Sequence, residues 1–187
     1  MKMQVHKKKL DGLLELVPET FGDERGFLTR LYHEQAFKEL GLPIAWVDEM
    51  HHHTRKKNTL RGIYFTLPPF SEMKFIRAIK GEMLWVSVDV RKNSKAFGNW
   101  DSTILTEKNK NILITAQGFA HGCVSLTDEV DLVIKSDNYF SLEHGVGIIW
   151  NDEDLNIDWN LDGATPLVSV RDMEYPSFRK FKEKYIK

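Results

Sequence analysis

The clearest alternation in the chain is GEMLWVSVDV, residues 81–90. Leu84, Val86, Val88 and Val90 fall on one parity and Met83, Trp85, Ser87 and Asp89 on the other. A period of two marks a strand, and this one predicts one packed face and a second face free to line a cavity. Shorter runs, NILITA, CVSLTDEVDLVIKS and GVGIIW, are each closed by Gly, Asn or Asp clusters, and NTLRGIYF (58–65) reads as the start of an inner strand. Helical periodicity is confined to HEQAFKELG, residues 33–41, which ends on a glycine, and to the charged tail FRKFKEKYIK. Many short strands with no repeat and no linker-like stretch predict one all-β domain over residues 1–187, built as a sandwich, jelly roll or barrel. A jelly roll encloses a pocket between its sheets, so polar residues on inward strand faces become the candidates for function.

Composition narrows the partners. At 187 residues and 42% hydrophobic the chain can bury a substantial single core. Its 26 basic and 27 acidic residues are interspersed, with net charge -1. They create no field that would gather nucleic acid or an anionic membrane, so an anionic ligand must be held by a few placed cations. The single cysteine, Cys123, excludes an intrachain disulfide. The N-terminal MKMQVHKKKLDG is not followed by the apolar run of a signal peptide. No stretch approaches the roughly 20 apolar residues that span a bilayer, and together these features predict a soluble, cytoplasmic protein.

The segment EMHHHTR, residues 49–55, concentrates titratable groups. In a strand, Glu49, His51, His53 and Arg55 share one face. Facing inward, that set would supply acid/base groups to a pocket. Alternatively, His51 and His53 at i and i+2 converge on a metal ion with Glu49 and His121 as further ligands, or the segment is a solvated edge.

Four segments together carry a resemblance: FGDERGF (21–27), LRG (60–62), KFIRAIKGEMLWVSVDVRKNSKAFGNW (74–100) and QGFAHGC (117–123). IKSDNYF, GIIWNDEDLNIDW and SVRD extend it to Asp172. In this order and combination the chain resembles the dTDP-4-dehydrorhamnose 3,5-epimerase family. The resemblance implies a cupin-type jelly roll acting as a homodimer, with no cofactor or metal and a pocket for a nucleoside-diphospho-4-keto sugar. It implies that Phe21 and Arg25 contact the nucleotide across the subunit boundary. It further implies that Arg61, Lys74 and His121 lie near the phosphates and sugar, with Arg171 beside them. A diphosphate requires two or more cations in fixed geometry, and Arg suits bidentate phosphate contact.

In the resembling family a histidine removes a proton beside the keto group and a tyrosine returns one from the other face. Here LRGIYF places Tyr64 at the histidine position, Ile134 replaces the first tyrosine of the family's YKxTxYY segment, and Trp85 replaces a strand aspartate. Of that machinery Asp172 and Tyr139 remain. A tyrosine near pKa 10 is a weaker base at neutral pH than a histidine near 6.5 by roughly 3.5 units, about 5 kcal/mol. If Asp172 reaches Tyr64, its charge disfavours the phenolate further and the pair reads as a fixed hydrogen bond with Tyr64 as donor. Any base is then sought among His51, His53 and His121. The leading expectation is a sugar-nucleotide epimerase or isomerase relative whose standard 3,5-epimerase activity is altered. The alternatives are a binding protein without turnover and a metal-dependent cupin enzyme.

Overall fold

The computed structural model describes residues 3–186. Its strands are β1 (Met3–Lys7), β2 (Leu13–Pro18), β3 (Thr20–Asp23), β4 (Gly26–Thr29), β5 (Asp48–Thr54), β6 (Leu60–Thr66) and β7 (Lys74–Lys80). They continue with β8 (Glu82–Asp89), β9 (Trp100–Thr106), β10 (Ile112–Thr115), β11 (Phe119–Ser125), β12 (Val130–Ser136) and β13 (Gly145–Gly147). The helices are short: α1 (Glu34–Glu39), α2 (Val170–Met173) and α3 (Phe178–Tyr185). Two sheets form the body, one in the order β1-β2-β10-β7-β12-β5 and the other β13-β6-β11-β8-β9, while β3 and β4 make a separate hairpin.

Strand β8 follows its predicted alternation. Leu84, Val86, Val88 and the adjoining Val90 join Trp159, Phe178 and Phe181 in the cluster that the C-terminal segment lays over the five-stranded sheet. Met83 and Trp85 point the other way, meeting Ile76, Ala78, Leu132 and Cys123 between the two sheets. Both faces are therefore buried. A third cluster, with Phe37 of α1 against Leu16, Phe75, Ile112 and Ile114, covers the outer face of the six-stranded sheet.

The run CVSLTDEVDLVIKS does not form one strand. It breaks between β11 and β12, where Glu129 takes a left-handed φ of 52° and the chain crosses from one sheet to the other. The predicted helix at 33–41 is α1, shorter at both ends than the periodicity suggested, and the tail forms α3, anchored by buried Phe178 and Phe181. The short helix α2 has no periodic signal of its own. Ser169 caps it, its side chain accepting from the Asp172 N–H.

Candidate active site

Between the sheets lies a cavity of about 620 Å³. The six-stranded sheet contributes Met50, His51, His52 and His53 from β5, Lys74 from β7 and Ile134 from β12. The five-stranded sheet contributes Arg61, Tyr64 and Thr66 from β6, Trp85 from β8, and His121 and Cys123 from β11. Glu72, Phe140 and Arg171 close its rim.

A bulge in β6 brings Arg61 and Tyr64 to the same face. Along β11, His121 pairs with Tyr64 but the next residue, Gly122, pairs with Gly62, so Ile63 is an extra residue in the ladder. Leu60, Ile63 and Phe65 go to the buried cluster on the far side. Gly62 is required at the turn of this bulge: its φ is +98°, and a Cβ there would lie 2.5 Å from the His121 carbonyl oxygen.

Asp172 reaches Tyr64 as the resemblance implied. The Tyr64 hydroxyl donates to Asp172 Oδ2 at 2.7 Å, and the Gly62 N–H donates to the same oxygen at 3.1 Å. Burial, and then the Asp172 carboxylate accepting its proton, push the Tyr64 phenol well above its ordinary range. Tyr64 therefore stays protonated at neutral pH, with its proton committed to Asp172.

His121 is 5% exposed. Trp85 Nε1–H donates to its Nδ1 at 3.4 Å, which leaves Nε2 to carry the ring proton toward Thr115 Oγ1, also at 3.4 Å. Burial, reinforced by the Lys74 charge, holds His121 neutral. Lys74 Nζ sits 2.9 Å from Glu72 Oε2, which also accepts from Thr66 Oγ1 at 3.2 Å. Arg61 Nη2 donates to the His53 carbonyl at 3.4 Å, while its Nε is buried with no partner among the described residues. Arg171 lines the rim with its guanidinium over the Tyr175 ring. Burial pushes the Cys123 thiol up to about 12, so it is inert as a nucleophile.

Three sequence expectations are corrected. First, β5 pairs with β12 so that Met50 faces Ile134 and His52 faces Leu132, whereas Glu49, His51 and His53 stand beside Lys135, Val133 and Asp131. Leu132 and Ile134 point into the interior, so the side chains of Met50 and His52 point inward, while His51 and His53, which also border the cavity, turn their imidazoles toward the outer face. There both bond to Asp131 Oδ1, at 2.9 and 2.7 Å, and Glu49 pairs with Lys135 at 2.7 Å. Among the described residues no group of three His, Cys, Asp or Glu side chains is placed to hold a metal ion. His51 and His53 share a carboxylate instead, and His121 lies on another strand with its nitrogens occupied.

Second, Tyr139 is 66% exposed and does not line the cavity; its neighbour Phe140, which has no hydroxyl, does. Third, His52, which the alternation places on the face opposite Glu49, His51 and His53, has its side chain on the inward face. Its Nε2 meets Thr54 Oγ1 at 3.2 Å, and burial followed by the nearby Arg61 charge brings its pKa down to about 4. The only sequence signal for it was membership in the histidine run.

Phe21 and Arg25 lie on the β3–β4 hairpin and do not line the chain's own cavity. Arg25 Nη2 is 2.6 Å from Asp23 Oδ2, and Phe21, Phe27 and Leu28 are each at least 60% exposed. No helix among the described residues is long and apolar enough to cross a membrane.

Comparison with known proteins agrees with this architecture. The family model described as dTDP-4-dehydrorhamnose 3,5-epimerase matches residues 7–180. A relative of that name from Shigella flexneri is 36% identical over 177 residues, covering 94% of this chain and 96% of the relative. The crystal structure of dTDP-4-dehydrorhamnose 3,5-epimerase from Elizabethkingia anophelis superposes with a TM-score of 0.90 at 32% identity, covering 98% of each chain. The Bacillus anthracis enzyme, whose structure has TDP and PPi bound, gives 0.90 at 32% identity over 95% of this chain and 100% of that one. The two-sheet body is thus the cupin-type jelly roll of these enzymes.

Proposed function

Because this chain belongs to the dTDP-4-dehydrorhamnose 3,5-epimerase family, we propose that its cavity binds a nucleoside-diphospho-4-keto sugar and exchanges a proton on a carbon beside the carbonyl. The observation that carries this reading is the convergence of Arg61, Lys74 and the neutral His121 on one cavity. Arg61, whose Nε has no partner among the described residues, offers donors to a diphosphate. Lys74, paired with Glu72 at 2.9 Å, is the cation that polarises the carbonyl oxygen and holds the negative charge that develops there.

The proton itself passes to an imidazole. With His51 and His53 turned outward, His121 is the base on this side of the cavity, and its 3.4 Å bond from Trp85 is long enough to yield to substrate. The electron pair of the C–H bond forms the enolate, and the imidazolium returns the proton or a solvent deuteron. Tyr64, tied to Asp172, orients a sugar oxygen. The second subunit completes the site: its hairpin brings Phe21 and Arg25 to the nucleotide, in a cytoplasmic homodimer serving deoxysugar and surface-polysaccharide synthesis.

The test is incubation with dTDP-4-keto-6-deoxyglucose in deuterated water. Deuterium should enter a carbon next to the carbonyl in the wild type and not in His121→Asn. Full 3,5-epimerisation should run on the order of 10²-fold or more below a relative that carries the histidine, the usual worth of a placed acid or base. A second reading, a binding protein without turnover, is favoured by the commitment of the Tyr64 proton and by the absence of a hydroxyl at Ile134 and Phe140. Nucleotide binding without any exchange would establish it.

A further inference from the structure

All three β5 histidines border the cavity, but His51 and His53 commit their imidazoles to Asp131 on the outer face, whereas His52 shares the inward face of Leu132, and Arg61 is anchored to the same stretch of strand. The Arg61 guanidinium donates to the carbonyl of His53, the residue following His52, which anchors the cation against this stretch of strand. His52 uses Nε2 toward Thr54 and has no hydrogen bond at Nδ1 among the described residues. It therefore presents an uncommitted ring nitrogen next to the cation that, on the function proposed above, receives the diphosphate. His51 and His53 instead commit ring nitrogens to Asp131.

We propose that His52 is a proton-coupled diphosphate ligand: it is neutral in the empty cavity, and it takes up a proton and donates to the phosphate oxygens when a nucleoside diphosphate docks on Arg61. The electrostatic groups around it are few. Arg61 on β6 faces it, His51 and His53 flank it on its own strand, and Asp131 on β12 stands on the opposite face of the sheet, while its direct cross-strand partner Leu132 is apolar. In the empty site, burial and then Arg61 are the largest influences, and both disfavour the imidazolium. A diphosphate reverses the second of these. It neutralises Arg61 and places two negative charges near the ring, so the protonated form becomes the favoured partner. The folded empty protein and the complex then differ by one proton, and binding must tighten as the pH falls between the free and bound pKa values.

The experiment uses dTDP-glucose, whose diphosphate is substituted at both ends and does not itself titrate in this range. Its affinity is measured by calorimetry from pH 8 to pH 5 in pairs of buffers with different ionisation enthalpies. For the wild type we expect uptake of close to one proton near pH 5.5 and affinity rising toward tenfold per pH unit, the slope for one linked proton. His52→Gln should bind with no proton uptake and a flat pH profile. Because a variant can perturb the cavity, proton uptake by the wild type stands as an independent measurement. A wild type that binds without taking up a proton overturns the proposal, as does proton uptake that persists in His52→Gln. Failure of the wild type to bind dTDP-glucose at any pH would instead refute the nucleotide-binding reading, and the role of His52 with it.

Discussion

Replacing Tyr64 with phenylalanine removes one oxygen from the most closely coupled polar pair in the cavity, and the structure sets the size of the effect. Asp172 is 1% exposed, and it loses the 2.7 Å bond from Tyr64 while keeping only the 3.1 Å bond from the Gly62 N–H. Its other oxygen, Oδ1, already has no partner among the described residues. A hydrogen bond to a charged group contributes about 1.5–3 kcal/mol. Tyr64 is 38% exposed, so water replaces part of the loss and the lower end, about 1.5–2 kcal/mol, is expected. For a domain of this length that corresponds to a fall in Tm of roughly 3–8 °C, at about 2–4 °C per kcal/mol. Differential scanning calorimetry of Tyr64→Phe, Asp172→Asn and the double variant at pH 7.5 isolates the pair. In the Asp172→Asn background the tyrosine should matter by under about 1 kcal/mol, giving a coupling energy of about 1 kcal/mol. Equal losses in both backgrounds, or a Tyr64→Phe protein within about 0.5 kcal/mol of wild type, would refute the claim that the phenol is held by the carboxylate. The same variant should slow deuterium exchange less than His121→Asn does; if it alone abolishes exchange, Tyr64 is the base after all.

Other predictions follow from the same geometry. Arg61→Ala should weaken dTDP-glucose binding at least tenfold by calorimetry at pH 8, since it removes the cation adjoining His52; unchanged affinity would place the diphosphate elsewhere. The Tyr64 phenol, raised in the folded state, contributes stability that is fully present below the unfolded tyrosine pKa of about 10 and is lost as the pH climbs above it. Tyr64→Phe should therefore flatten the decline in stability above about pH 10, and tyrosinate absorbance at 295 nm should show one fewer late-titrating group. Phe27→Ser with Leu28→Ser should convert a dimer into a monomer in sedimentation equilibrium, because both apolar side chains are at least 60% exposed, with Lys110 over the Phe27 ring. A wild type that sediments as a monomer would sink the hairpin's assignment.

The sequence was most legible where apolar and polar residues contrast. In β8 the parity of Leu84, Val86 and Val88 against Trp85 identified both the packed face and the cavity face. In β5 the same reasoning assigned the wrong face, because His51, His52 and His53 have no contrast among themselves from which to read a phase. The phase is set instead by cross-strand pairing with Leu132 and Ile134, on a strand far along the chain. The bulge at Gly62 and Ile63 was equally hidden, since an extra residue in a ladder depends on the partner strand. The Tyr64–Asp172 bond spans 108 residues, and only family resemblance made it foreseeable. At Tyr139 and Phe140, adjacent aromatics of similar character, nothing local distinguished the residue that enters the cavity.

The placement of three identical side chains on an edge strand also makes the site tolerant of error. Strand β5 is held to the sheet along one side only, by β12, and such strands are the ones that slip. A slip of one residue ordinarily exchanges every inward group for an outward one. Here it would exchange His52 for His51 and His53. Lengthening or shortening the turn at residues 55–58 by a single residue would still leave a histidine in the cavity, but it would release the pair now clamped by Asp131. The histidine run thus buffers the cavity's chemistry against insertions that would erase a lone ligand, and the outer carboxylate acts as the latch that selects the register with His52 inward.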